Sequence, residues 1–376
     1  MLTSLRIQNF RSIRDASVKL GQVNLFIGPN NSGKSNFLKG IAEAAQRISK
    51  YPDEQDVPIE WYEQSIPRGK QPDLLNPVEI IVSFSDQITE SKSCEVTYSV
   101  QMVPKLVKSG TKTELKAEVV SLFGTSELLD LSTATTNFKA FPRAFHTVWQ
   151  QLADCLVYKL EPASFEVSVG LSYQPLLKAS GANIANFINT LSQNHENLFS
   201  QLKKDFASCV GNLVSVSTPP DPLFQGNLKL KFFDATGNSY WAEEVSEGVL
   251  YFLALLCIVH QPDSPKLLLL EEPEKGIHPR RIREVMDFIF ELARMRDIQI
   301  ILTSHSPYVV DYFADIPECI SVFDRDPETS ETVIHNAGEL IDQSNAKSDA
   351  AKLPRISYTD ALGEYWVSGF LGGVPA

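Results

Sequence analysis

Apolar and polar positions alternate through Leu5-Arg6-Ile7-Gln8-Asn9-Phe10 and again through Ala16-Ser17-Val18-Lys19-Leu20. A period of two marks a strand with one buried face. Gly21 then turns the chain into Val23-Asn24-Leu25-Phe26-Ile27, a short apolar run of the kind that is buried on both faces of a sheet. From Phe37 to Ala42 the period lengthens to that of a helix. A polar, Pro-rich stretch, 51–77, reads as a long surface excursion. Three β-patterned runs follow, at 78–84, 94–103 and 114–122, separated by turn residues, and predict an antiparallel sheet.

Residues 144–155 pattern as a helix and 155–160 as a strand closed by Glu161-Pro162. Between Ala182 and Val210 the helical period returns, broken near Asn194, which predicts a small helical lobe. The run 228–233 and the turn Ala235-Thr236-Gly237-Asn238 predict a hairpin. After Val245, helix and strand alternate, with short buried strands at 267–270 and 298–303. The Gly-rich tail from Gly369 to Ala376 is expected to be loosely held. The predicted fold class is therefore α/β. Residues 1–50 and 220–335 form the core, 51–160 a β-rich insertion, 161–219 the helical lobe and 336–376 a C-terminal extension of one head.

Composition narrows the classes. The chain has 376 residues, 43% apolar and 21% charged, which suits an ordinary globular protein with a large core. The longest wholly apolar run, Val249 to Val259, is too short for a bilayer and reads as a buried helix. The opening MLTSLRIQNF has no basic-then-apolar signal, and five scattered cysteines have no Cys-x-x-Cys pair, so a cytoplasmic, reduced protein without a membrane partner is expected. The net charge of −12 argues against a surface that is basic all over. Local basic groups at Arg6, Arg11 and Arg14, at Lys203 and Lys204, and at Arg280, Arg281 and Arg283 read as solvated faces.

The chemistry sits in "FIGPNNSGKSN". Gly28-x-x-x-x-Gly33-Lys34-Ser35 has the full phosphate-loop spacing, between an apolar strand and a helix. The glycines let the backbone turn its amides inward, and the helix start adds free N–H donors. Lys34 is expected to reach the β- and γ-phosphates of a nucleotide, and Ser35 to ligate Mg²⁺. Asn30, Asn31, Ser32 and Asn36 complete the expected nucleotide-binding set. In "KLLLLEEPEKGIHP" an apolar strand delivers two acids to its C-terminal end, where ligands bind in open α/β sheets. Glu271, nearer the strand, suits the metal, and Glu272 suits the base that activates water. In "ILTSHSP" His305 follows a buried strand and is a second catalytic candidate, able to contact the γ-phosphate or position water. In "EEVSEGVLYFLALL" Ser246 is a good N-cap and Gly248 permits close backbone approach, a helix start that can grip phosphate.

The order of these pieces, with "LTSLRIQNFRSIRDASVKLGQVNLFIGPNNSGKSN", "SGANIANFINTL" and the tail "LGEYWVSGFLGG", resembles a RecF/SMC-like ABC-type ATPase head. It resembles most the standalone ATPases allied to the overcoming-lysogenization-defect (OLD) group. The resemblance implies a P-loop NTPase fold with a mixed core sheet, an antiparallel β-subdomain and a helical lobe. It also implies an ATP-sandwiched homodimer, in which Ser246 and Gly248 of one subunit close on the nucleotide of the other. The output is then either DNA engagement in repair or phage defence, or control of a separate effector protein such as a nuclease or toxin. A transporter ATPase fits less well. The turn reads Val245-Ser246-Glu247-Gly248 where SMC proteins have Leu-Ser-Gly-Gly, Glu271 stands where transporters use Asp, and no Gln follows the strand at 155–160. The short stretch after His305 holds no expected nuclease site, and Asp324 and Asp326 read as a turn.

Overall fold

A computed structural model describes residues 1–50, 56–57, 78–89, 92–107, 110–123, 152, 155–210, 212–275, 277–352, 358 and 361–374. The surface excursion expected over 51–77 lies outside them apart from Asp56–Val57, and so does nearly all of the helix expected over 144–155.

In chain order the elements are β1 (Leu2–Phe10), β2 (Ile13–Lys19), β3 (Val23–Ile27), α1 (Lys34–Lys50), β4 (Asp56–Val57), β5 (Val78–Thr89), β6 (Lys92–Val107) and β7 (Gly110–Phe123). There follow β8 (Val157–Tyr158), β9 (Val169–Gly170), α2 (Ile184–Asn194), α3 (Glu196–Cys209), β10 (Leu213–Ser217), β11 (Asn227–Leu228), β12 (Lys231–Asp234) and β13 (Ser239–Trp241). Last come α4 (Glu247–Val259), β14 (Leu267–Glu271), α5 (Pro279–Arg296), β15 (Gln299–Thr303), α6 (Pro307–Tyr312), β16 (Ile320–Arg325), β17 (Thr332–Asn336), α7 (Ala337–Ala350) and α8 (Leu362–Val367).

Two compact units result, one of residues 1–155, 266–269 and 298–376, the other of 156–265 and 270–297. In the first unit, β3 has β15 on one side and β16 on the other, both parallel to it. All five residues of β3 and of β15 are buried, as strands covered on both faces must be. The first residues of β14 lie beyond β15, and β17 pairs antiparallel with β16. Phe26, Phe37 and Phe323 meet with ring centroids 4.9 to 5.7 Å apart and fill the core between β3, α1 and β16. An added Cβ at Gly40 would come within 2.7 Å of Ile7 Cδ1, so the glycine lets α1 approach β1 closely.

Among the described residues a second sheet of this unit runs β2-β1-β5-β6-β7-β4, antiparallel at every pairing. The three runs expected as an antiparallel sheet are thus strands, longer than their patterns, and β1 and β2 join them. The tail expected to be loose is instead held at Leu371 and Gly373. Trp366 and Leu371 are buried, the indole Nε1 donates to Gly373 O at 3.1 Å, and Gly373 N donates to Asp324 Oδ2 at 3.1 Å. Aromatic burial fixes the segment despite its glycines.

In the second unit α2 and α3 form the expected helical lobe, with the break at His195. The helix α4 is apolar all round and buried from Gly248 to Val259, and Phe252 packs edge-on to Phe288 of α5 at 5.3 Å. Two strand expectations change. The strand at 155–160 shrinks to β8, and the run 228–233 divides, β11 pairing with β9 and β12 with β10 and β13.

Candidate functional site

The phosphate loop occupies the turn between β3 and α1 in the first unit. Its backbone bends through three residues with positive φ: Gly28 at 142°, Asn31 at 64° and Gly33 at 111°. An added Cβ on Gly28 would lie 2.1 Å from Phe323 O, and one on Gly33 2.3 Å from Thr332 Oγ1, so both glycines are required by packing as well as by φ. Lys34 is only 6% exposed, and its Nζ donates to Gly28 O at 2.7 Å and Pro29 O at 2.9 Å. Ser32 is fully buried and its Oγ has no hydrogen-bond partner. Helix α1 begins here, with Phe37 N donating to Gly33 O at 2.8 Å, and the start of an α-helix presents its leading N–H groups outward. An ammonium held inside a turn, an orphaned hydroxyl and a helix N-terminus together fit an anionic phosphate chain.

The loop is tied to three distant segments of the unit. Asn36 Nδ2 donates to Ser12 Oγ at 2.9 Å, and Ser12 Oγ shares a hydrogen bond with Thr332 Oγ1 at 3.0 Å. The Cα of Gly28 lies 3.4 Å from where a Cβ on Gly373 would stand. The turn before β2, the start of β17 and the C-terminal tail therefore buttress the loop. No motif in the sequence signals these contacts.

His305 emerges two residues beyond β15. Thr303 pairs with Phe26, and Ser304 N donates to Phe26 O at 3.1 Å. The strands that lead to His305 and to Gly28 are thus neighbours, in parallel, and their C-terminal ends lie on the same side of the sheet. Ser304 Oγ accepts from Ser306 N at 2.9 Å and shapes the turn after His305.

The other predicted site residues belong to the second unit. Glu271 ends β14, and Lys159 Nζ lies 4.0 Å from its Oε2. Glu272 follows with φ 50°, a left-handed conformation uncommon for a side chain of that size. Lys275 Nζ is 4.0 Å from Glu272 Oε2. Ser246 stands at the N-cap of α4 with extended backbone, yet its side chain makes no cap bond, contrary to the sequence expectation. Its Oγ instead accepts from Arg281 Nη1 at 2.9 Å, because α5 brings a guanidinium alongside and a charged donor outcompetes a backbone amide. Gly248 is buried at the second position of α4.

Deeper in this unit, His260 closes α4. Its Nε2 lies 2.8 Å from Asp205 Oδ2 and 2.9 Å from Arg296 Nη2, while Arg296 Nη2 also donates to Asp205 Oδ2 at 2.7 Å. Burial, aided by the neighbouring guanidinium, lowers the pKa of His260 against the pull of Asp205. Burial works to raise that of Asp205, but its bonds from His260, Gln201 and Arg296 hold it below the usual carboxylate range.

With this geometry in view, the similarities to known proteins fall into place. Residues 1–122 match a family model described as an AAA ATPase domain. Residues 218–311 match one described as "AAA domain, putative AbiEii toxin, Type IV TA system". The chain is 15% identical to the SMC head bound to the C-winged helix domain of ScpA, over 91% of this chain and 99% of that one, with a TM-score of 0.53. The SMC head domain from Thermotoga maritima aligns over 89% and 98% of the two chains at 12% identity, with a TM-score of 0.46. Over residues 1–122 and 218–311 the chain is similar to AAA-type ATPase domains. Its mixed parallel and antiparallel α/β fold is that of an SMC head. An uncharacterized ABC transporter ATP-binding protein of Bacillus subtilis (strain 168), YhcH, is 30% identical over 93 residues, and this chain spans only 25% of that relative's length.

Among the described residues no cluster of three or more His, Cys, Asp or Glu side chains forms an all-protein metal site. Magnesium shared with nucleotide phosphates needs none, since water and phosphate supply most of its ligands. No helix of the described residues is long and apolar enough to cross a membrane.

Proposed function

We propose that this head binds ATP on the Gly28–Ser35 loop, hydrolyses it, and works as an ATP-sandwiched homodimer. The observation that supports the reading best is the buried Lys34 ammonium within a loop whose Ser32 hydroxyl has no partner, beside β15, the strand that leads to His305. In this reading Asn30, Asn31, Ser32, Gly33 and Lys34 surround the phosphates. Ser35 and Glu271 would hold Mg²⁺, which supplies charge neutralisation at the β- and γ-phosphates. Glu272 takes the proton of the attacking water, and His305 orients that water or the γ-phosphate. Ser246 and Gly248 meet the nucleotide of a second copy through the N-terminus of α4.

The dimer delivers its opening and closing to DNA, as a clamp in repair or phage defence. A second reading has the head govern a separate effector without touching DNA, and the toxin–antitoxin wording of the family matched by 218–311 favours keeping it. Purified protein should hydrolyse ATP in the presence of Mg²⁺ and shift linear duplex DNA only with ATP. Hydrolysis without any ATP-dependent shift, on duplex or single-stranded DNA, would leave the effector reading. No hydrolysis in either case would overturn both.

A further inference from the structure

The Ser246 turn carries a guanidinium that neither the sequence motifs nor the family matches assign. Arg281 is the third residue of α5. Besides its Nη1 bond to Ser246 Oγ, its Nε donates to Glu284 Oε2 at 3.2 Å, which steadies the group from one turn along the same helix. Nη1 and Cζ lie 3.5 and 3.6 Å from where a Cβ on Gly248 would stand, so the guanidinium rests against the bare face of that glycine. One group therefore touches both residues expected to grip phosphate.

The chemistry of this contact has a direction. A guanidinium has only donors. Ser246 Oγ is the acceptor in the bond, and its own proton is left for an acceptor elsewhere. Ser246 does not spend that hydroxyl on capping α4. An anionic phosphate oxygen is an acceptor only, so the Arg281 bond presets the hydroxyl as a donor to it. Glu247, the first residue of α4, places a carboxylate in the same turn where SMC proteins have glycine, and would oppose an incoming phosphate. A fixed cation beside Gly248 offsets that charge.

We propose that Arg281 is the positioning residue of the phosphate-gripping turn. It orients the Ser246 hydroxyl toward the γ-phosphate of the partner copy's ATP and neutralises the field of Glu247. The inference rests on the sandwich reading given above, and it concerns a residue which that reading does not use.

The test is a double-mutant cycle in full-length Glu272→Gln protein, with the ATP-dependent dimer constant measured by analytical ultracentrifugation. Arg281→Ala should weaken the dimer by about 10- to 100-fold, as expected for losing a charge-assisted contact. Arg281→Lys should restore only part of it, because the single ammonium lacks the fork. The defects of Arg281→Ala and Ser246→Ala should not add, since one acts through the other. Binding of a fluorescent ATP analogue to the monomer should be unchanged in all of them. A dimer in Arg281→Ala as tight as the parent's overturns the proposal while the sandwich stands, and so do fully additive defects. If the parent itself forms no ATP-dependent dimer, the sandwich reading and the role of Arg281 fall together, and the parent measurement alone identifies that case. Should Arg281→Ala melt more than a few degrees low, Arg281→Lys carries the same comparison, and parent-like dimerisation by it overturns the proposal.

Discussion

Lys34 donates from Nζ to the carbonyl oxygens of Gly28 at 2.7 Å and of Pro29 at 2.9 Å, within its own loop. In the proposed site, phosphate oxygens would compete with those carbonyls for the same ammonium, and as anions they are the stronger acceptors. The bond keeps a buried cation paired and at the place where it is needed.

Lys34→Ala should therefore lower ATP affinity by about 100-fold or more, from the loss of a charge-assisted contact in a partly desolvated loop. It should also cost about 1 kcal/mol of stability, because the buried carbonyl of Gly28 and the part-buried one of Pro29 lose their partner. Titration calorimetry and urea unfolding check the two effects. Parent-like ATP binding would remove the loop as the nucleotide site.

Gly28→Ala tests the packing of the loop without touching a charge. A Cβ would meet Phe323 O at 2.1 Å, and φ of 142° is closed to other residues, so a loss of about 2–3 kcal/mol or more is expected. Gly237→Ala is the control. Its φ is also positive, 90°, but nothing lies within 4 Å, so only the conformational strain remains, about 1 kcal/mol. Denaturant midpoints should separate the pair clearly.

Glu272 combines a proposed catalytic role with a backbone at φ 50°. Glu272→Gln should leave ATP binding intact and slow hydrolysis by about 100-fold or more, the usual worth of a general base. Glu272→Gly should be equally inactive yet more stable by up to about 1 kcal/mol, because glycine relieves the left-handed strain. Single-turnover hydrolysis and thermal melting read the two. A fast Glu272→Gln enzyme would move the base role to His305.

Acid should destabilise the second unit through His260. Its folded pKa is lowered from 6.5, with burial the largest cause, so the unfolded chain takes up the proton first. Stability is complete above about pH 6.5 and is lost as pH falls through the window beneath it. The groups that face the ring here are Asp205, itself bonded to Gln201, and Arg296. The melting temperature should drop between about pH 7.5 and pH 5.5, and His260→Gln should flatten that drop. An unchanged slope in the variant would show that other groups govern the acid response.

The sheet strands were legible because their signals are local. The alternation in Leu5–Phe10, the apolar runs of β3, β14 and β15, and the break near Asn194 each fix an element without help from elsewhere. The strand–turn–helix that carries Gly28 to Ser35 was legible for the same reason, its signal being packed into adjacent residues. What the sequence hid depends on side chains far apart in the chain. Arg281 reaches Ser246 across 35 positions, and Asn36, Ser12 and Thr332 form one network over 320. The tail misled because its glycines signal looseness, whereas Trp366 and Leu371 anchor it in the core. Ser246 misled because a serine before an apolar helix reads as a cap, and only the fold reveals a competing arginine.

The central claim is that nucleotide joins two copies of this chain face to face. Light scattering of Glu272→Gln at micromolar concentration, with and without ATP and Mg²⁺, tests it most directly. The account predicts a monomer without ATP, a dimer of twice that mass with it, and a monomer under both conditions for Ser246→Arg, whose own loop still binds ATP. Glu272→Gln that binds ATP yet keeps the mass of a monomer would contradict the account.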